Sequence, residues 1–114
     1  MSALRLFSLP THAVIELVAG MTLMLAPFVL AFGTAGTILA FGGGVVLVGV
    51  ALAGVEDLRI STHVAVDHAL VSAFLVAAVA LALADDAAAG SVFLAAGVAQ
   101  LTLAATTRYT RPLR

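Results

Sequence analysis

The chain of 114 residues contains no cysteine, no tryptophan and no lysine, and only 10% of its residues are charged. Without cysteine, disulfide bonds and thiolate metal sites are excluded. The net charge of −1 comes with five arginines that form no dense basic face, so the sequence predicts no nucleic-acid partner. The charged fraction is also far below the roughly 25% that is typical of soluble domains.

Apolar residues are in excess and make up 63% of the chain. A protein of this composition cannot cover itself with polar surface, which predicts that it is solvated by the lipid bilayer. Crossing the hydrocarbon core takes about 20 apolar residues in a helix, and four runs are long enough: 12–32, 37–55, 63–84 and 88–106. Short connections make consecutive helices antiparallel, and the runs are too long for spanning strands. The sequence predicts an all-α, transmembrane four-helix up-down bundle, a single integral membrane domain over residues 1–114.

The arginines predict how the helices are oriented. They lie before the first run, between the second and third runs, and after the fourth: Arg5, Arg59, Arg108, Arg111 and Arg114. The other two connections contain no basic residue, and one of them contains Asp85 and Asp86. Because basic residues stay on the cytoplasmic side, we expect a multi-pass protein of the cell membrane with both termini cytoplasmic.

The two halves of the chain share a pattern of polar residues and glycines. A shift of 51 positions aligns Thr11-His12 with Thr62-His63 and Glu16 with Asp67, and a shift of 48 aligns Gly42 and Gly49 with Gly90 and Gly97. Each half enters and leaves on the same side of the membrane, which predicts two parallel two-helix repeats. Glycines seven residues apart share one helix face, so we expect both glycine faces to pack tightly against another helix.

The segment GMTLMLAPFVLAF, residues 20–32, resembles the signature of the SPW-repeat family of small bacterial integral membrane proteins. There a Gly-x-x-Leu-x-x-Ser-Pro-Trp-Val-Leu-x-Phe-like run closes the first helix of a two-helix repeat. The matching residues are Gly20, Leu23, Pro27, Val29, Leu30 and Phe32, while Ala26 and Phe28 occupy the serine and tryptophan positions. The resemblance covers residues 10–55, and the second half is similar in layout only. It implies the two-helix repeat fold and no established catalytic activity.

Pro27 lies inside the first predicted helix. It removes one backbone donor and crowds the preceding turn, so we expect a kink that steers the helix into the next connection. Phe28 is expected to fill the space beside the kink, with Ala26 completing this structural motif. A mobile hinge is the alternative interpretation.

Two histidine–acid pairs stand near the starts of the first and third helices. His12 and Glu16 are one turn apart, as are His63 and Asp67, so each pair shares a helix face. In the favoured interpretation the acids lie close to the interface and accept hydrogen bonds from the histidines or from a nearby arginine. Thr11 would then cap the first helix, and Thr62 the third.

The alternative is that all four side chains converge across the pseudo-twofold axis. Two imidazoles and two carboxylates would form a divalent-metal or proton-relay site, because these ligands suit zinc, iron and manganese and histidine shuttles protons. A haem with two histidine ligands is a third possibility. Gln100, inside the fourth helix, needs a partner within the bundle, for which Ser72 and the His68 ring are candidates.

No phosphate-binding loop, nucleophile elbow or zinc-protease motif is present, so the sequence predicts neither an enzyme nor a bound cofactor. We expect a small membrane protein that acts as a structural or accessory subunit. Its partners would be the lipid bilayer and either further copies of itself or a larger membrane complex. The alternative is an oligomeric small transporter or channel with a cytoplasmic-side histidine and carboxylate site.

Overall fold

The computed structural model describes residues 7–56 and 59–109. It confirms the all-α four-helix bundle, with α1 at Leu9–Leu30, α2 at Thr34–Glu56, α3 at Ile60–Leu83 and α4 at Ala87–Thr106. Every helix begins one to three residues before the apolar run that predicted it. Three of the five arginines that predicted the orientation, Arg5, Arg111 and Arg114, lie outside the described residues.

The early helix starts change the capping residues. Ser8 is the N-cap of α1, and its hydroxyl accepts a hydrogen bond from the Thr11 backbone N–H at 3.3 Å. Arg59 occupies the N-cap position of α3 and makes no side-chain capping bond. The prediction that Thr11 and Thr62 cap these helices was therefore wrong, because both threonines already lie inside the first turn, where the capping position has passed.

The helices pack as two hairpins, α1 against α2 and α3 against α4, with sparser contact between the hairpins. In the first hairpin the backbones touch at Gly20 and Gly44. A Cβ atom added to Gly20 would lie 2.8 Å from the Gly44 carbonyl oxygen, and one added to Gly44 would lie 2.5 Å from the Gly20 oxygen. Small residues are needed here because hydrocarbon around the helices gives no hydrophobic drive for association, and close packing must supply it.

The prediction that glycine faces pack against another helix is confirmed for α4 and wrong for α2. In α4, Gly90 and Gly97 pack against α3, and an added Cβ would lie 3.1 Å from the Ala78 oxygen or 2.6 Å from Leu75 Cδ2. In α2, Gly42 and Gly49 are exposed, and a Cβ at either would meet nothing within 4 Å. The prediction for Gly42 and Gly49 was wrong because α2 is rotated so that Gly44 faces α1 instead.

Pro27 is buried within α1, and its carbonyl oxygen accepts the Phe32 backbone N–H at 3.2 Å just beyond the helix end. Ala31, with φ of 54°, ends the helix in the left-handed conformation. Phe28 points outward, with 68% of its side chain exposed, so the prediction that it fills a gap beside the proline was wrong. Exposure of an aromatic ring on the outer face is compatible with a lipid environment.

The interior between the hairpins is a cluster of buried apolar side chains, and Phe74 and Phe93 meet edge to face at its centre, with ring centroids 5.7 Å apart. The cluster comprises Leu23, Phe32, Ala40, Leu47, Leu70, Phe74, Ala78, Leu81, Ala89 and Phe93. Large apolar side chains also cover the outside of the bundle. All four helices are long and apolar enough to span a membrane, with mean hydropathy between 1.6 and 2.1. The chain is a multi-pass membrane protein.

Candidate metal centre

Four ionisable side chains meet inside the bundle, at the end where α1 begins and α4 ends. α1 provides His12 and Glu16, and α3 provides His63 and Asp67. Each of the four has an exposed fraction of 0%. Both acids face inward and lie against the histidines, as the favoured interpretation expects. They are fully buried rather than close to water, because the residues just outside α1 and α4 close over this end of the bundle.

The four side chains approach one another at nearly equal distances. His12 Nε2 lies 3.2 Å from Glu16 Oε1 and 3.0 Å from Asp67 Oδ2. His63 Nε2 forms a hydrogen bond with the same glutamate oxygen at 3.3 Å and lies 3.4 Å from the same aspartate oxygen. All four candidate ligand atoms lie within 4.8 Å of one another. Each histidine is thus shared between both acids, and each acid between both histidines.

Gln100 of α4 holds the far sides of the two carboxylates. Its side-chain amide nitrogen donates to Glu16 Oε2 at 2.9 Å and to Asp67 Oδ1 at 3.2 Å. These two bonds use both hydrogens of the amide. They leave Glu16 Oε1 and Asp67 Oδ2 turned towards the histidines, so each carboxylate presents one oxygen to the centre.

The segment after α4 closes the site from the end of the bundle. The Tyr109 hydroxyl donates to Asp67 Oδ2 at 2.6 Å, and the Thr107 hydroxyl contacts His12 Nδ1. This segment is paired with the residue that precedes α1. Phe7 N–H donates to the Thr106 oxygen at 3.0 Å, and Arg108 N–H donates to the Phe7 oxygen at 2.7 Å. The two ends of the described chain therefore join directly above the four ligand candidates.

One nitrogen on each histidine lacks a hydrogen bond. Among the side chains that the structure describes, the buried atoms without a hydrogen-bond partner are His12 Nε2 and His63 Nδ1. His12 Nε2 is close to two carboxylate oxygens, yet neither contact has the geometry of a hydrogen bond. Buried polar groups are nearly always satisfied, so this nitrogen, aimed between two anions, marks the centre of the cluster.

Other polar residues singled out from the sequence lie elsewhere. His68 is exposed, with its Nδ1 bonded to the Val64 carbonyl oxygen at 2.8 Å, and Ser72 is also exposed. Neither is the partner of Gln100, which bonds to Glu16 and Asp67 instead, so that expectation was wrong. The reason is rotational: Gln100 and His68 lie on faces of their helices that point away from each other.

The arrangement disfavours the haem alternative. Both Nε2 atoms lie within 3.4 Å of the same two carboxylate oxygens, which occupy the space between the imidazoles. The rings themselves are close, with centroids 5.2 Å apart. A porphyrin with axial histidines needs that space for its own plane, so these four residues fit a single small cation better than a macrocycle.

Comparisons with known protein families, curated proteins and solved structures find no match for this chain. Its chemistry is therefore argued from the residues themselves. Gln100 was noticed in the sequence without its role, and Thr107 and Tyr109 were not connected with the site. Gln100 and Tyr109 are the chain's only glutamine and only tyrosine, and this is the one feature of the sequence that sets them apart.

Proposed function

We propose that this protein is a small membrane subunit that binds one divalent transition-metal ion through His12, Glu16, His63 and Asp67. Two ligands come from each hairpin, so the ion would join α1 to α3 where direct helix contact is sparse. In this proposal the metal has a structural role, and the protein serves as a structural or accessory subunit.

The observation that carries the proposal is the near equality of the four N···O distances, which range from 3.0 to 3.4 Å. Ligands about 2.0–2.1 Å from a tetrahedral zinc ion lie about 3.3–3.4 Å from one another. The four N···O distances are close to this spacing, and all separations among the four candidate ligand atoms lie within 4.8 Å. Four of the six ligand separations are thus already close to those around a bound ion.

Ion pairing without a metal explains these distances less well. A hydrogen bond favours one acceptor in line with the N–H, and it weakens steeply as the angle closes. His63 Nε2 forms one hydrogen bond, with Glu16 Oε1 at 3.3 Å. His12 Nε2 is almost equidistant from two oxygens, and neither contact is aligned as a hydrogen bond. A central cation removes this conflict, because each ligand then directs one lone pair at the same point.

A divalent ion also satisfies the charge balance of the site. Two carboxylates in a fully buried site carry two negative charges, and uncompensated charge is expensive to bury. Two neutral imidazoles and one divalent cation make the whole set neutral. Nitrogen and oxygen donors of this kind suit zinc, iron and manganese, and a set of four protein ligands is typical of structural zinc sites.

The same geometry favours a structural role over transport. Four protein ligands leave no open position, as in structural rather than catalytic zinc sites, so the proposal includes no enzymatic activity. On the membrane side of Gln100 lies a cavity of about 60 Å³, lined otherwise by apolar side chains that include Leu23, Leu47 and Phe74. Transport would require polar groups near the bilayer midplane, which this cavity does not offer.

The proposal also includes the cytoplasmic orientation of both termini and membership of the SPW-repeat family. The positive-inside rule supports the first, and the proline-containing segment at the end of α1 supports the second. With that orientation the metal would be acquired from the cytoplasmic side. Further copies of the chain or a larger membrane complex would be its partners.

The decisive experiment is metal analysis of the protein purified in detergent, followed by zinc titration. We expect about one equivalent of zinc per chain in the wild type. Glu16→Gln and Asp67→Asn should each lose the bound zinc, because a neutral amide is a much weaker zinc ligand than a carboxylate. The shape of each side chain is nearly unchanged, so the fold should be retained. A folded fraction measured by size exclusion confirms that the bundle survives.

Asp85→Asn is the matched control, since Asp85 is an exposed acid in the turn before α4. It should retain full metal content. A wild-type protein that takes up no zinc, iron or manganese would refute the proposal. Equal metal content in Asp67→Asn and Asp85→Asn would show that the metal binds elsewhere.

A further inference from the structure

The hydroxyl group of Thr107 makes two short contacts that together reveal where the proton of His12 lies. Its Oγ1 is 2.6 Å from the Leu103 carbonyl oxygen and 2.5 Å from His12 Nδ1. Each contact needs a proton between its two heavy atoms. The hydroxyl supplies one proton, and the carbonyl has none, so the hydroxyl donates to Leu103. The proton on the other contact must then belong to His12 Nδ1, which donates to Thr107.

We infer that Thr107 is a positioning residue that holds His12 with its proton on Nδ1 and its Nε2 directed at the two carboxylates. The inference rests on the proposed metal site and adds a determinant of its affinity. Histidine ligands commonly donate their second ring N–H to an oxygen, which fixes the tautomer and the ring orientation. Here the oxygen is a threonine hydroxyl whose own orientation is fixed by the helix.

Thr107 is well placed for this role because it is itself held firmly. It is fully buried, at 0% exposure, although it lies just beyond the last turn of α4. The backbone bonds between Phe7 and residues 106 and 108 keep the segment in register over the site. The His63 ring has no corresponding bond, since its Nδ1 is without a partner among the described residues. The positioning therefore acts on His12 alone.

The test compares Thr107→Val with Thr107→Ser. Valine keeps the shape and removes the acceptor, so zinc affinity should fall by about 10–100-fold, the usual loss when an outer-shell partner is removed. Serine restores the hydroxyl and should restore affinity close to that of the wild type. Affinity is measured by competition with a chromogenic zinc chelator in detergent.

Thr102→Val is the matched control. Thr102 lies on the same helix, and its hydroxyl also bonds four residues back, to the Val98 oxygen at 2.9 Å, but its side chain is exposed. This variant should bind zinc as the wild type does. Equal losses in Thr102→Val and Thr107→Val would mean that the helix end, rather than the bond to His12, matters, and would overturn the inference.

A second measurement needs no variant. In zinc-loaded protein with ¹⁵N-labelled histidine, the NMR spectrum of His12 should show a protonated Nδ1 and a metal-bound Nε2. The opposite assignment would overturn the inference while leaving the metal site intact. A wild-type protein that binds no metal would overturn the proposed function and this inference together, whereas a zinc-binding protein with unchanged affinity in Thr107→Val overturns the inference alone.

Discussion

The two ends of the bundle both bring carboxylates to the junction between the hairpins, but they satisfy them with different partners. At the turn end, Asp86 accepts from the Gly33 backbone N–H at 2.8 Å and from the Ala89 backbone N–H at 3.2 Å. At the terminal end, Glu16 and Asp67 face two imidazole rings. The first carboxylate is only partly buried, and the other two are completely buried.

The difference shows that a buried acid indicates a binding site only when its hydrogen-bond donors do not already satisfy it. Backbone N–H groups at a helix start are fixed donors, so Asp86 forms an ordinary N-cap and a link between the hairpins. Imidazoles offer either a proton or a lone pair. Here two of them converge on two carboxylates, and one Nε2 has no hydrogen-bond partner. Backbone donors satisfy the partly buried acid, whereas the fully buried pair is where we propose that an ion binds.

The largest loss of stability is expected from a substitution midway between the two ends, where the backbones of α1 and α2 are in direct contact. Gly44→Leu should lower the free energy of unfolding by about 3 kcal/mol or more, at or above the upper end for overpacking, because its side chain would overlap the Gly20 carbonyl. Gly49→Leu on the same helix should be nearly neutral, since its Cβ meets nothing within 4 Å. Thermal unfolding in detergent measures both.

Equal destabilisation by the two glycine variants would mean that α2 has a different rotation from the one described here. The two polar ends of the bundle would then not be separated by a closely packed apolar region. The structure thus reverses the sequence-based expectation, in which the face of Gly49 is the packed one.

An intermediate effect is expected at the terminal end. Gln100→Leu leaves Glu16 Oε2 and Asp67 Oδ1 without their amide donor, which should cost about 1–3 kcal/mol of stability. Zinc affinity should fall as well, because the carboxylates would be free to rotate. Stability is followed by thermal unfolding of the metal-free protein, and affinity by zinc competition.

Thr22→Val provides the comparison for that variant. Thr22 is exposed within α1, and its hydroxyl bonds its own helix at the Val18 oxygen, 2.8 Å away. Its replacement should change stability by no more than about 0.5 kcal/mol. If Gln100→Leu is equally mild, the carboxylates do not depend on the amide, and the two ends differ less than described.

The smallest effect is expected at the turn end. Asp86→Ala removes an N-cap and the bond to Gly33, and should cost about 0.5–2 kcal/mol without changing zinc binding. Asp85→Asn should change neither stability nor zinc binding, because Asp85 is exposed and asparagine tolerates its left-handed conformation, with φ of 63°. A loss of metal in Asp86→Ala would show that the two ends are coupled.

Parts of the site were accessible from the sequence alone. The spacing of four residues placed His12 with Glu16, and His63 with Asp67, on shared helix faces, and the pairs were considered as one converging site. The sequence did not show how deeply the two pairs are buried. Their position near the helix starts favoured a watery environment, whereas the chain segments around Phe7 and Thr107 close that end of the bundle. Contacts between residues 95 positions apart, such as His12 with Thr107, have no local signal.

The sequence by itself determined that the chain crosses the membrane four times as helices. Long apolar runs and short connections permit little else when every backbone group must be bonded within the bilayer. Only the tertiary structure decided which face of each helix points inward. In a soluble helix the apolar stripe marks that face. Here lipid and core are both apolar, so hydrophobicity does not predict whether Gly42, Gly49 and Phe28 face the core or the lipid. The rotation of each helix about its axis also brings the two histidine–acid pairs together with Gln100 and encloses them, and only the tertiary structure shows this.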